Sequence, residues 1–208
     1  MALELTSEER LAHDLAEKGW SVSPSFLDWE SVSLWSRECH ELFRSGAFRP
    51  AGVGRAASLR VQPEVRNDHV LWLDPAALRP FERSYLERMN GVRESLNREL
   101  YLGLLGFEAH LSVFSAGARY RSHLDQFQGS SDRIVSATLY LNENWRSSDG
   151  GGLRLYLSEP ESEPYEDILP IGGTLVLFLS ARFHHEVLPS RRDRMSITGW
   201  FTRRKLES

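Results

Sequence analysis

Cysteine is nearly absent from this chain, with Cys39 the sole example in 208 residues. No internal disulfide can form, which favours a reducing compartment, and the position of Cys39 in a helix-like apolar pattern predicts a buried thiol. Long apolar runs are missing as well. None approaches the roughly 18 residues of a membrane span, and Met1 to Arg10 is acidic, without the apolar core of a signal peptide. A cytoplasmic protein without membrane contact is the expectation. Positive charge is not in excess: a formal charge of −4 argues against broad attraction to nucleic acid. The one dense basic group, Arg191, Arg192, Arg194, Arg203, Arg204 and Lys205, reads first as a solvated strand edge and tail. No Gly-x-Ser-x-Gly elbow occurs, which argues against a serine hydrolase. Internal repeats and dividing linkers are also lacking.

What is present suits one core, since 41% of the residues are hydrophobic. Thr6 with Glu9 forms a capping-box pattern, Leu11 and Leu15 keep helical spacing, and Gly19 is a stop. A second helix is predicted from near Asp28, with Val32, Trp35, Cys39, Leu42 and Phe43 on one face before Gly46. Leu59 to Leu73 contains two short strand-like runs. From Pro75 to Leu100 a period near 3.6 returns, with Pro80 and Gly91 as expected kinks or breaks. After Gly106 the texture is of short strands: 108–114, 120–127, 134–142, 153–157, 167–169, 174–179, 185–188 and 195–202. The Gly150-Gly151-Gly152 run reads as a tight hairpin before Leu153. Helices followed by eight strands predict an α+β fold, a double-stranded β-helix (jelly roll) with the N-terminal helices packed on one sheet. One domain over 1–208 is expected, with 1–105 mainly helical support and 106–204 the jelly-roll core.

The chemistry concentrates in that second half. Residues two apart in a strand share a face, so His123 and Asp125 project together. Such a triplet is weak alone, but a further imidazole follows at His184 or His185. Adjacent strand residues face opposite sides, and the residues themselves leave that choice open. Two imidazoles and one carboxylate can hold one face of a metal and leave the other open, the ligand set of non-haem Fe(II) oxygenases. Zinc accepts the same ligands. Arg194, nine residues past His185, points to an anionic co-substrate, because a guanidinium reads a carboxylate bidentately.

From about Phe107 to Phe201 the chain resembles the 2-oxoglutarate and Fe(II)-dependent oxygenases of the prolyl 4-hydroxylase superfamily, closest to the hypoxia-factor-type prolyl hydroxylases and their bacterial relatives. The matching runs are Tyr120-Arg-Ser-His-Leu-Asp125, Leu139-Tyr-Leu-Asn142, Gly151-Gly-Leu-Arg-Leu-Tyr156, Leu175-Val-Leu-Phe178, His185-Glu-Val-Leu-Pro189 and Arg194-Met-Ser-Ile-Thr-Gly-Trp200. The resemblance implies that His123, Asp125 and His185 hold iron, that Arg194 binds the distal carboxylate of 2-oxoglutarate, and that Tyr140 hydrogen-bonds it. Thr198, four residues beyond Arg194 on the same face, would line the same pocket. Phe114 stands where hypoxia-type relatives carry a tyrosine that touches the co-substrate, so one donor is missing. Arg66-Asn-Asp68-His-Val-Leu-Trp72 resembles a segment in which an acid pairs with an arginine after the second barrel strand. Here that implies Asp68 with Arg133, ordering a loop at Gln126 to Asp132 over the substrate entrance.

The implied reaction uses Fe(II), O2 and 2-oxoglutarate, with ascorbate as a candidate reductant, and yields succinate and a hydroxylated product. A prolyl residue of a protein is the first expected target, with elongation factor Tu a candidate inherited from bacterial relatives. Free proline or another small molecule is the enzymatic alternative. A non-catalytic binding domain, or a nucleic-acid module using the basic group, is the alternative of another class.

Overall fold

The computed structural model describes residues 5–54, 60–126 and 132–203. The helical spacing of the first half becomes α1 (Ser7–Lys18), α2 (Trp29–Arg44) and α3 (Pro80–Leu100). At the start of α1 the Thr6 hydroxyl accepts from the Glu9 amide and the Glu9 carboxylate accepts from the Thr6 amide, while Gly19 closes the helix at a φ of +85°. Asp28 caps α2 by accepting from the Ser31 amide. Pro80 opens α3 instead of kinking it, because the first turn does not use its missing N–H. Gly91 faces open space, so α3 runs through it undivided.

The strands are β1 (Trp20–Ser23), β2 (Arg49–Pro50), β3 (His69–Trp72), β4 (Gly106–Phe114), β5 (Tyr120–His123), β6 (Arg133–Tyr140), β7 (Leu153–Tyr156), β8 (Tyr165–Ile168), β9 (Leu175–Leu179), β10 (His185–Val187) and β11 (Arg194–Thr202). They form a larger antiparallel sheet in the order β1-β9-β6-β11-β4-β3-β2 and a smaller one in the order β5-β10-β7-β8. Tyr140, Val176 and Phe178 from the larger sheet pack with Leu153, Leu155 and Ile168 from the smaller. The sheets therefore face each other as a double-stranded β-helix. The Gly150-Gly151-Gly152 run is not the expected hairpin. It follows a 3-10 turn at Ser147–Asp149 and leads the chain from β6 in the larger sheet to β7 in the smaller, bridging to Ser190.

Period-two alternation divides the larger sheet between two tasks. Leu111, Val113, Val135, Ala137, Leu139 and Ile197 turn outward onto the helices, where Leu11, Val32, Cys39, Met89 and Leu96 complete a dry core. Burial pushes the Cys39 thiol up to about 12, which leaves it unreactive. The alternate residues, among them Ser112, Ser136, Tyr140, Arg194 and Ser196, turn inward and are buried polar groups. On this side the Tyr85 hydroxyl of α3 is fully buried and, among the described residues, has no hydrogen-bond partner. Tyr85→Phe is expected to raise the unfolding free energy by about 1 kcal/mol, since it removes a desolvated hydroxyl that gains nothing in return. Denaturant unfolding of the two proteins checks this, and a lower midpoint would contradict it. Among the described residues no helix is long and apolar enough to cross a membrane.

Candidate active site

The smaller sheet sets the imidazoles. β5 and β10 run antiparallel with His123 and His185 directly opposite each other, so a ladder position fixes their separation. Asp125 lies two residues further, past the end of β5, where the sequence predicted a strand continuing to 127. One ligand atom from each of the three lies within 4.8 Å of the others. His123 Nε2 and His185 Nε2 are each 3.6 Å from a different oxygen of Asp125. In both rings Nδ1 donates to a carbonyl, His123 to Arg121 at 2.7 Å and His185 to Phe183 at 3.1 Å. On each ring Nε2 is thus the nitrogen left facing the carboxylate. His184, the alternative ligand, is outside this group.

The protonation states suit a cation. Burial pushes the His185 imidazole down to about 4, with His123 adding to the effect. Burial alone would raise Asp125, but the two imidazoles and the Ser136 hydroxyl, which donates at 2.7 Å, hold it well below the usual carboxylate range. Ser136 is in turn 2.8 Å from the Ser180 hydroxyl. Neutral imidazole and ionised carboxylate are the forms that bind metal.

An anion site lies along the same wall. Arg194 opens β11 and is only 2% exposed, yet among the described residues no carboxylate pairs with it. Its Nε donates to the Gly151 carbonyl at 2.9 Å, and its guanidinium lies 4.9 Å from the Tyr140 ring and 5.2 Å from the Phe114 ring. Among the described residues the Tyr140 hydroxyl is buried without a hydrogen bond of good geometry, and it lies close enough to Arg194 for the two to interact. Tyr140 packs with Phe178, whose ring meets His185 at 4.6 Å, which ties the arm to the metal ligands. A buried cation with no carboxylate opposite it among the described residues, and a buried hydroxyl beside it, fit a carboxylate supplied from outside.

Residues 109–202 match the 2OG-Fe(II) oxygenase superfamily. The chain is 36% identical to the mouse prolyl hydroxylase EGLN3 over 96% of its own length and 84% of the relative's. It is a 2OG-Fe(II) oxygenase of the prolyl hydroxylase group. The crystal structure of a Pseudomonas putida prolyl-4-hydroxylase superposes with a TM-score of 0.85 at 39% identity, covering 95% of this chain and all of that one. The hypoxia-inducible factor prolyl hydroxylase of Caenorhabditis elegans is 30% identical over 93% of this chain, which spans only 28% of that protein. As an enzyme of this class the oxygenase uses Fe(II), 2-oxoglutarate and O2, and the His-Asp-His group and the Arg194 arm fit the first two. The non-catalytic alternative is thereby set aside.

One sequence expectation about the oxygenase needs correction and a second holds in part. Asp68 does not pair with Arg133. Arg66, two residues away on the extended chain, takes it bidentately at 2.8 and 2.6 Å, and Ser112 donates to it at 2.9 Å. Arg133 reaches across the face of Trp200, 3.5 Å from its ring, to Glu108 at 2.7 Å. β11 lies between the strands that carry Arg133 and Glu108, so the ring of Trp200 forms a bridge for the guanidinium. The basic group is split: Arg191, Arg192 and Arg203 are exposed, as a solvated edge requires, and of its described members Arg194 departs from that reading. Arg194 is interior, Arg192 donates to the Glu143 carbonyl, and Arg203 donates to the Leu102 carbonyl. Arg204 and Lys205 lie outside the described residues, as does most of the expected entrance loop, 127–131.

Thr198 is on the inward face, in register with Thr138 and His110. Phe114 is directly across from Arg194 and offers no hydroxyl. Sequence reasoning passed over Ser136, the buried donor to Asp125, and the stack of Arg66 over Tyr120 and of Tyr120 on His123 at 3.5 Å between centroids. It also left His110 without company. Burial, reinforced by the charge of Arg66, pushes this imidazole from 6.5 down to about 4. In the unfolded chain it takes up its proton near 6.5, so the unfolded state binds the extra proton between the two values. Its contribution to stability is full above pH 6.5 and falls by about 3 kcal/mol as the pH drops to 4. His110→Phe is expected to flatten that part of the pH profile of unfolding. Parallel profiles for the two proteins would refute this.

Proposed function

We propose that this chain is a protein prolyl hydroxylase. Fe(II) binds through His123, Asp125 and His185, the distal carboxylate of 2-oxoglutarate lies on Arg194 and Tyr140, and Thr198 lines the same pocket. A prolyl residue gains one oxygen while 2-oxoglutarate leaves as succinate and carbon dioxide. The observation that carries this reading is the buried Arg194 guanidinium, with no carboxylate against it among the described residues, on the barrel wall that also carries the donor to Asp125. Iron and co-substrate, when bound, supply the oxidising chemistry. The chain's own part is to keep the His185 imidazole neutral and both rings aimed, to hold the far end of the co-substrate, and to exclude water from a wall of buried residues.

The prolyl target rests on the relatives, which are named as prolyl hydroxylases and in one case for a protein substrate. Elongation factor Tu is our first candidate, with the cytoplasm as the setting, ascorbate as a reductant and 1–208 acting as one catalytic unit. The deciding experiment gives anaerobically iron-loaded protein 2-oxoglutarate, oxygen and a proteome extract, with His123→Ala as control. Succinate that depends on His123, together with one added oxygen on a protein proline, is the expected result. Succinate stimulated by free proline with no modified protein would favour the small-molecule alternative.

A further inference from the structure

The barrel holds a polar pair that metal and co-substrate leave unused. Trp72 on β3, His110 on β4 and Trp200 on β11 form a row across the larger sheet, with Trp72 and His110 opposite each other in register. Their ring centroids are 5.0 Å apart for Trp72 and His110, 5.5 Å for His110 and Trp200, and 6.1 Å for Trp72 and Trp200. Trp72 is 50% exposed, so the row runs from the surface to the interior. Trp200 is 5% exposed, and its Nε1–H is buried with no acceptor among the described residues. Beside this donor stands an acceptor. His110 Nδ1 donates to the Leu111 carbonyl at 3.2 Å, which leaves the lone pair on Nε2, and Nε2 makes no hydrogen bond among the described residues. Burial keeps the ring unprotonated at neutral pH. Protonation would turn this acceptor into a second donor.

A buried indole N–H without an acceptor is a poor arrangement unless something arrives to fill it. Beside it an aromatic surface offers contact, and a complementary acceptor stands one ring away. We propose that Trp200 and His110 together read the main chain of one extended substrate residue, the indole donating to its carbonyl and the imidazole accepting from its N–H. In extended chain these two groups of a residue point the same way, as in the hydrogen-bonded pairs of an antiparallel ladder. Proline has no N–H. The residue read is therefore a neighbour of the target proline, and that neighbour is not itself proline. The inference rests on the protein-hydroxylase reading above and adds a sequence rule and the two residues that impose it.

The test uses full-length protein with 15N-labelled indoles, loaded with Zn(II) and 2-oxoglutarate, with the Trp200 signal assigned through Trp200→Phe. The probes are N-acetyl-Ala-Pro-Ala N-methylamide, the same peptide N-methylated at both alanines, and L-proline. The Trp200 indole signal is expected to shift with the first probe, to respond to the second with about fivefold weaker affinity, as suits one lost hydrogen bond, and to ignore the third. His110→Met should erase the discrimination between the two peptides. His110→Gln should restore part of it, because its amide oxygen accepts. A signal that moves equally with both peptides, or with neither, overturns the inference even if protein prolines are hydroxylated in the extract. If no protein proline gains oxygen, the hydroxylase reading falls, and the indole titration still decides the main-chain reading separately.

Discussion

Arg194→Met is expected to move affinity and stability in opposite directions. The dissociation constant for 2-oxoglutarate should rise by roughly 30- to 5,000-fold, the equivalent of about 2–5 kcal/mol for truncating one partner of a buried, hydrogen-bonded charge pair. The protein without co-substrate should become more stable, by about 1–3 kcal/mol. Arg194 is 2% exposed with no carboxylate opposite it among the described residues, and burial already pushes its pKa down. Contacts with the Phe114 and Tyr140 rings offset part of the desolvation but not all of it. Methionine fills similar space without a charge. Arg194→Lys should fall between, since it keeps the charge and loses the planar fork. Calorimetric titration of metal-loaded protein and urea unfolding in the absence of co-substrate supply the two readings. Unchanged affinity, or a loss of stability in Arg194→Met, would remove the anion site from the account.

The second large effect concerns the metal. Structural zinc sites gain roughly 10–16 kcal/mol from four ligands, or about 3 kcal/mol each. Losing one of three is then expected to weaken metal binding by about a hundredfold or more. Asp125→Ala should show this in a Co(II) titration, as should His185→Ala. Ser136→Ala should show a smaller loss of about 10- to 100-fold, because Ser136 only orients the Asp125 carboxylate through its 2.7 Å hydrogen bond. His184→Ala should bind cobalt like the parent, its ring lying outside the ligand group. If His184→Ala lost the metal while His185→Ala kept it, the assignment of the strand faces would be wrong. Metal bound to the parent should also raise its unfolding temperature, since the ligand cluster forms only in the folded chain.

What the sequence made legible follows from the range of its regularities. Period two is local, so the inward turn of Arg194 and Thr198 can be read from spacing, whereas Asp125 joins His123 from a bend just past the end of β5. The cap at Thr6 and Glu9 is likewise a matter of neighbours. Pairing across strands is not local. The expected Asp68–Arg133 contact failed because Arg66 lies closer along the chain on the same side, and because β11 brings Trp200 under Arg133. Ser136 carries no motif, and only the fold puts its hydroxyl on Asp125. β1, directly after the stop at Gly19, was not foreseen, since its short run Trp20–Ser23 is completed by pairing with β9. The choice between His184 and His185 needed the ladder register opposite His123.

The alternation of the larger sheet has a consequence for how this protein tolerates change over generations. Along β11, Met195, Ile197 and Phe201 belong to the helix-covered core, and a side chain on Gly199 would strike Phe107. Arg194, Ser196, Thr198 and Trp200 belong to the chamber. A saturation library across this one strand should therefore show a two-residue beat: odd positions would govern how much protein accumulates, and even positions what the accumulated protein can do. Lineages could retune substrate choice at the even positions while the odd ones stay nearly fixed, because two kinds of selection would act on one strand with little interference.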